Sequence, residues 1–503
     1  MTAGAQITGG QRHLLLPMQP TPNGALHLGH MSGPFLQSDI VARRLRQLGA
    51  DVTVMCGADV YENWVLLPAR QAGVDPAELC EDNAAQIRRD LAYFGIDLAY
   101  WANPLSRADR EPYEELHNRL LGEAIAAGGL ELRTERVPYS RRTGTPVYGV
   151  WLQGVCPGCR EPAGGNSCEN CGYHYQPDEI LEPRSRDGET DLDWREERSW
   201  YTASASPAAL AEELARRVPQ EEFRSLALAY AEGAAPRTRL TAPDAWGIPN
   251  RVDGHGATIC NTFYGYCHYL ASVFAARRDL PNPLTAAGAE TRVCVFAGID
   301  NLAAALIGPA NIANAVPELR NFDEVRLSKF LLFEKRKFST SRVHGVWLRD
   351  LATLDRVHPD ELRLYLATIL PVSEETDFDL RDCVAFVNRH RGALRQALSR
   401  LARGADVEPF APEHADTSPA RLASDYLAFL EEPSEADARW LSRFACVATP
   451  LLPRLSAEIV ARFGPGGDAV LPSPLGDDLS VEDLAPVARR QAPPPSTGTA
   501  GGR

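Results

Sequence analysis

Lysine is almost missing from this chain. Of its 52 basic residues only Lys329, Lys335 and Lys337 are lysines, and arginine supplies the rest. A coding bias towards arginine would explain the scarcity, but not why the survivors fall so close together. A compact ammonium on a flexible stem differs from a guanidinium fork, so this stretch reads as a site that needs point charges. Also missing is any uncharged apolar run of the roughly 18 residues that a membrane span requires. The amino terminus lacks the basic-then-apolar layout of a secretory signal. Together these absences imply no membrane partner and a cytoplasmic protein. Positive charge is short overall, with a net charge of −14, which disfavours RNA as a partner because nucleic-acid binding draws on a basic footprint. Of the eleven cysteines, four are spaced as paired knuckles, which reads as metal chemistry in a reducing compartment and not as a disulfide framework.

What is present begins with Leu14-Leu15-Leu16, a short apolar run fit for a buried parallel strand. After it come Pro20-Thr21-Pro22-Asn23-Gly24-Ala25-Leu26-His27-Leu28-Gly29-His30 and then, over Phe35 to Leu48, apolar residues at helical spacing. A strand-to-helix turn of this kind offers free N–H groups, a positive dipole end and a glycine that lets a ligand approach the main chain. His27 and His30 are three apart, so they share a helix face and can donate to charge developing on a transferring phosphoryl group.

Asp51 to Gly57 is a second β-rich run, and strand–helix–strand spacing predicts a doubly wound parallel sheet with ligands beyond its carboxyl edge. Asp59 falls at that edge, where it would anchor an ammonium or cap the next helix. Residues from about 61 to 128 read as helical and Leu130 to Tyr148 as β-like. The pairs Cys156/Cys159 and Cys168/Cys171 follow, at a spacing that closes a tetrahedral zinc shell with no position left for substrate. From Trp194 to Ala231 the pattern reads as helical. Thr291 to Phe296 is a central strand candidate that ends in Ala297-Gly298-Ile299-Asp300, repeating the sheet-edge layout. Val325 to Phe333 is another, leading into Glu334-Lys335-Arg336-Lys337-Phe338-Ser339-Thr340-Ser341, a mobile anion clamp of cations and hydroxyls. Residues 386–485 are helical and carry ten arginines, no lysine and fifteen acids, a poor surface for RNA. The tail is rich in Pro, Ser, Thr and Gly and reads as disordered.

Taken in order, His27-Leu28-Gly29-His30, the four-cysteine insert and Lys337-Phe338-Ser339-Thr340-Ser341 resemble the signatures of a class I aminoacyl-tRNA synthetase, most closely the methionyl-tRNA synthetases. The resemblance covers roughly residues 12–400. It implies an α/β, Rossmann-like catalytic domain in two halves, 1–120 and 241–385, interrupted by a zinc-knuckle insert, 121–240. A shortened C-terminal helical bundle, 386–485, and a disordered tail, 486–503, would follow. It implies ATP, with Mg2+, as the nucleotide and a structural Zn2+ on the four cysteines. His27 and His30 would stabilise the α-phosphate while Lys337, Ser339 and Ser341 hold pyrophosphate. Asn23, Gly29, Gly298 and Asp300 would line the nucleotide, and Asp59 would take the amino acid's α-ammonium.

The departures from the family pattern carry as much information. Thr340 stands where the second signature has a catalytic lysine, so Lys335 or Arg336 would have to substitute, and Ile299 replaces another lysine. Thr21 stands where the family has a tyrosine, the stretch Ile259-Cys260-Asn261-Thr262-Phe263 where it has a tryptophan, and Ala305 where it has a histidine, all contacts to methionine. Another amino acid is therefore expected. Arg391 occupies the position of an anticodon-reading asparagine, and the later segment that carries an anticodon-reading tryptophan is expected to be deleted. The expectation is a monomeric ligase that activates an amino acid as its adenylate and passes it to a small amine or hydroxyl acceptor in specialised metabolism, as relatives in hydrazine-forming pathways do. Charging of tRNA is the first alternative and an inactive regulatory paralogue the second.

Overall fold

In a computed structural model, the described residues are 10–165, 168, 175–202, 206–234, 238–339, 343–401, 407–432 and 438–489. Five strands form the central sheet: β1 (Arg12–Pro17), β2 (Asp51–Gly57), β3 (Tyr100–Ala102), β4 (Thr291–Gly298) and β5 (Glu324–Ser328). Their order is β5-β4-β1-β2-β3, and every neighbour is parallel. The order reverses between β1 and β4, and that crevice is where an open α/β sheet binds ligands.

Alternation along β1 builds the two layers. Leu15 packs with Val41 and Leu45 of the helix Leu36–Gln47, while Leu14 and Leu16 face the other way, into the core that holds Phe263, Tyr266 and Leu270 of the helix Phe263–Arg278. The two halves of the sheet, separated in sequence by almost two hundred residues, therefore share one core.

The intervening segment leaves and returns as a ribbon, with Leu130–Ser140 antiparallel to Leu192–Thr202 along its whole length. The helical expectation from Trp194 is thus wrong up to Thr202. Cross-strand Arg133–Tyr201 and Arg136–Trp194 stacking favours the ribbon there. Helices follow only at Pro207–Arg217 and Glu221–Ala234. Beyond the ribbon, a three-stranded sheet, Leu152–Val155 between Pro162–Gly164 and Leu181–Ser185, carries the cysteines.

The C-terminal helices Leu380–Leu398, Pro419–Glu431, Ala438–Ala448 and Pro453–Phe463 do not form a separate core. Leu394, Tyr426, Phe444 and Leu455 belong to the same apolar cluster as Leu28, Phe35 and Leu36. Two buried ion pairs tie the joint. Arg363 meets Asp39 at 2.6 Å and Arg391 meets Glu361 at 2.6 Å. Ala488–Arg489 pairs with Gly345–Val346, which places the first residues assigned to the tail inside the fold. Residues from 490 on lie outside the described residues. Among the described residues no helix is long and apolar enough to cross a membrane.

Candidate active site

The loops that leave β1, β2 and β4 are strapped together at the reversal point. Met18 N–H donates to the Phe296 carbonyl (2.7 Å), Asp59 N–H donates to the Pro20 carbonyl (3.0 Å), and Leu348 N–H donates to the Leu26 carbonyl (3.0 Å). His27 stands at the helix start and His30 closes that first turn. Their rings are stacked, with centroids 3.7 Å apart. His27 N–H donates to His30 Nδ1 at 3.3 Å. A backbone amide can only donate, so Nδ1 is unprotonated and the His30 proton sits on Nε2.

Burial, and then the neighbouring His30, hold His27 well below the ordinary histidine range. Desolvation by the surrounding protein lowers His30 to about 4, although the residue is exposed. Both rings are therefore neutral near pH 7. Neutral imidazoles can donate through N–H without carrying a fixed charge, which would suit charge that appears only during a reaction.

Phe338 stacks on the other side of His27 at 4.9 Å. A side chain at Gly29 would place its Cβ 3.0 Å from His27 Nδ1 and 3.3 Å from Phe338 Cδ2, so glycine is what lets the three rings close up. Phe338 follows a hairpin, Leu331–Phe333 with Arg336–Lys337, whose two turn residues Glu334 and Lys335 both have positive φ. Lys337 Nζ lies over the Phe330 ring at 4.0 Å. Lys335 is exposed at the hairpin turn, where its N–H donates to Asp377. Ser339 bonds His344 through both backbone groups, while Thr340 and Ser341 lie outside the described residues. At the end of β4, the Asp300 carboxylate folds back so closely that a Cβ on Gly298 would meet Oδ1 at 2.4 Å. Asn23 is exposed and Thr21 half-buried on the loop between β1 and the histidines.

Joined to the loop after β1 through Gln19 and Thr262 (3.4 Å) is a narrow pocket lined by Tyr61, Glu62, Asn63, Tyr148, Asp244, Trp246 and Thr258 to Thr262. Ile259 and Asn261 are part of its wall. Asn261, however, has φ +52° and spends its amide on the Arg239 carbonyl (2.6 Å), so it shapes the wall. Ala305 lines a different, smaller cavity with Glu213 and Arg217. Crowding by protein raises the carboxyls of Asp59 and Glu62, and Glu62 is raised further by the Asp59 charge. Sequence reasoning singled out Asp59 but missed Glu62, three residues later on the same edge, and Asp244, which no local pattern marks.

At the tip of the insert, Cys159 and Cys168 sulfurs are 3.6 Å apart and the sulfurs of Cys156, Cys159 and Cys168 lie within 4.8 Å of one another. A tetrahedral shell with Zn–S bonds of about 2.3 Å sets neighbouring sulfurs roughly 3.8 Å apart, so the geometry fits zinc. Gly158 N–H also points at Cys156 Sγ (3.3 Å), a backbone donor of the kind that supports a metal-bound sulfur. Cys171 lies outside the described residues.

The chain is similar in sequence to methionine–tRNA ligases. The methionine–tRNA ligase of Salinibacter ruber is 28% identical over 461 residues, 88% of this chain and 62% of that protein. That of Chlorobaculum tepidum is 28% identical, over 78% of this chain and 57% of its own length. The chain thus spans about three fifths of the length of the curated relatives it matches. Among solved structures, Mycobacterium tuberculosis methionyl-tRNA synthetase bound by methionyl-adenylate superimposes with a TM-score of 0.65 at 15% identity, over 96% of this chain and 99% of that one. The family model of the class I tRNA synthetases (M) matches residues 18–401, and the chain belongs to that family.

Proposed function

We propose that this protein activates an amino acid with ATP, forming an aminoacyl adenylate and releasing pyrophosphate. A carboxylate oxygen of the amino acid attacks the α-phosphorus. The bond to the bridging oxygen breaks, and its electron pair leaves with pyrophosphate. The observation that carries the reading is the stacked, neutral pair His27/His30 at the reversal point of the sheet, with Phe338 seating the lysine-bearing hairpin against it. His30 Nε2–H, fixed by the bond at Nδ1, would donate to the α-phosphate oxygen as its charge grows, and Lys337 would leave the Phe330 ring to follow the departing pyrophosphate. Asp59 would hold the α-ammonium. Mg2+ would accompany the nucleotide. Zinc on Cys156, Cys159 and Cys168, with Cys171 as a fourth ligand, would staple the insert and take no part in the reaction.

The names of the relatives favour tRNA as the acceptor. A small amine or hydroxyl is the second reading, favoured by Arg391: at the position expected to read an anticodon, it is buried and fully engaged by Glu361 and two carbonyls. The acid-lined pocket also suits an amino acid other than methionine.

Amino-acid-dependent ATP–pyrophosphate exchange over a panel of amino acids, with and without total tRNA, tests the reading. Exchange with one amino acid supports it. Stable charging of tRNA selects the first acceptor, and exchange without charging selects the second. No exchange with any amino acid overturns it.

A further inference from the structure

The pocket lined by Glu62 and Asp244 gathers more carboxyl groups than one α-ammonium requires. Glu62 and Asp244 line it, and Asp59 stands next to Glu62. Asp244 is held in place by Asn63 Nδ2–H (2.7 Å) and Trp246 N–H (3.2 Å). Among the described residues no lysine or arginine forms an ion pair with any of the three carboxylates, and no cation is among the groups that set their ionisation. Arg239, which lies over the ring of Tyr148 (5.2 Å), is already paired with Glu135.

Gln19 adds an independent mark. It is 7% exposed, its amide reaches Thr262 in the pocket wall (3.4 Å), and its Oε1 is buried without a hydrogen-bond partner. The same wall carries Tyr61, Tyr148 and Trp246, and Tyr61 O–H and Trp246 Nε1–H are spent on Glu114 and the Val60 carbonyl. Carboxyl groups with no cationic partner among the described residues and aromatic rings in one wall, with a spare amide oxygen on the residue that bonds Thr262 of that wall, are what an alkylammonium group seeks, because it brings the missing positive charge, donates to the oxygens and lies against ring faces.

We infer that this pocket is a subsite for a primary alkylammonium group, additional to the α-ammonium at Asp59. Placing it next to the reacting carboxylate rests on the adenylation reading above. Two sources share this chemistry: the side chain of the activated amino acid, or the amine of a small acceptor. In either case Glu62 is the residue that distinguishes an ammonium-bearing molecule from its neutral isostere.

Titration calorimetry of the intact protein, without ATP, tests the subsite independently of catalysis. The probes are lysine, norleucine and cadaverine, on wild type, Glu62→Gln, Glu62→Asp and Asp244→Asn. The expected result is that lysine or cadaverine binds at least about tenfold more tightly than norleucine, the worth of one charge-assisted bond. That preference should be lost in Glu62→Gln and kept in part by Glu62→Asp, at unchanged melting temperature. If Glu62→Gln does not fold, Asp244→Asn carries the comparison. A lysine-specific rise in the exchange KM of the variant assigns the subsite to the amino acid. Unchanged exchange with lost stimulation of AMP release by cadaverine assigns it to the acceptor. Norleucine binding as well as the ammonium ligands, or a preference that survives in both neutralised variants, overturns the inference. A failure of exchange with every amino acid would instead remove the adenylation reading and leave the binding result standing.

Discussion

Replacing Arg391 with alanine separates a structural role from a recognition role. Arg391 is 1% exposed. Its Nε and one terminal nitrogen bind both oxygens of Glu361 (2.7 and 2.6 Å), and the remaining N–H groups reach the carbonyls of Asp477 (2.7 Å) and Arg356 (2.8 Å). The clamp joins the helix Leu380–Leu398 to the helix Pro359–Thr368 and to the segment near 477. Removing one member leaves the Glu361 carboxylate buried without its cation, along with two carbonyls that lose a donor, so the cost is about 3–5 kcal/mol. The pair Arg391→Met with Glu361→Leu removes both charges and should recover most of that loss, because the desolvation of the pair disappears with it. Urea denaturation followed by far-UV circular dichroism measures both. A loss below about 1 kcal/mol in Arg391→Ala, together with an altered tRNA interaction at unchanged stability, would refute the clamp and return Arg391 to a recognition surface.

Other expectations follow from the same geometry. His30→Ala removes a donor aimed at developing charge and should lower the exchange rate about 10²–10³-fold with little change in amino-acid KM, a split read directly from steady-state exchange; a fall confined to KM would count against the assignment. The intact protein should carry about one zinc by elemental analysis, and Cys159→Ser should lose the metal and lower the melting temperature while leaving residual exchange. Equal metal content in the variant would place the ion elsewhere. His268 and His390 are buried and lowered to about 3, both chiefly by desolvation. The unfolded chain therefore takes up protons first as pH drops below the ordinary histidine value, so their contribution to stability is complete above that value and declines towards the folded one. Each histidine adds at most about 1.4 kcal/mol per pH unit in that window. Urea midpoints from pH 7 to 5 should fall with acidification, and less steeply in His390→Gln; the same slope in wild type and variant would contradict this.

How far the sequence reached depended on distance along the chain. The strand–loop–helix at Leu14 to Leu48 was legible because its apolar period, its glycine and its prolines are local. The cysteine knuckles were legible because a metal shell fixes its own spacing. The joining of two sheet halves across the insert followed from the repeated sheet-edge layout at Gly298-Ile299-Asp300. What escaped was decided by tertiary contact. Helical spacing around Trp194 gave way to cross-strand cation–aromatic stacking. Arg391, one more arginine on an amphipathic helix by sequence, is a buried clamp because Glu361 faces it from another helix. Ala305 looked like a pocket residue but opens onto a different cavity. Glu62 and Asp244 meet across 182 positions of chain, which periodicity cannot foresee. Phe338 was visible only as a letter in a motif, and its stacking on His27 is what gives the lysine hairpin an address.

The most direct test of the account is to look for the intermediate itself. The protein is incubated with ATP, Mg2+ and a mixture of amino acids, and the bound fraction is examined by mass spectrometry, alongside the His27→Ala/His30→Ala variant. The account predicts one aminoacyl adenylate, with an amino acid other than methionine, at near-stoichiometric occupancy in the wild type and absent from the variant. Adenylate of equal yield in both proteins, or ADP and phosphate in place of AMP and pyrophosphate, would contradict it.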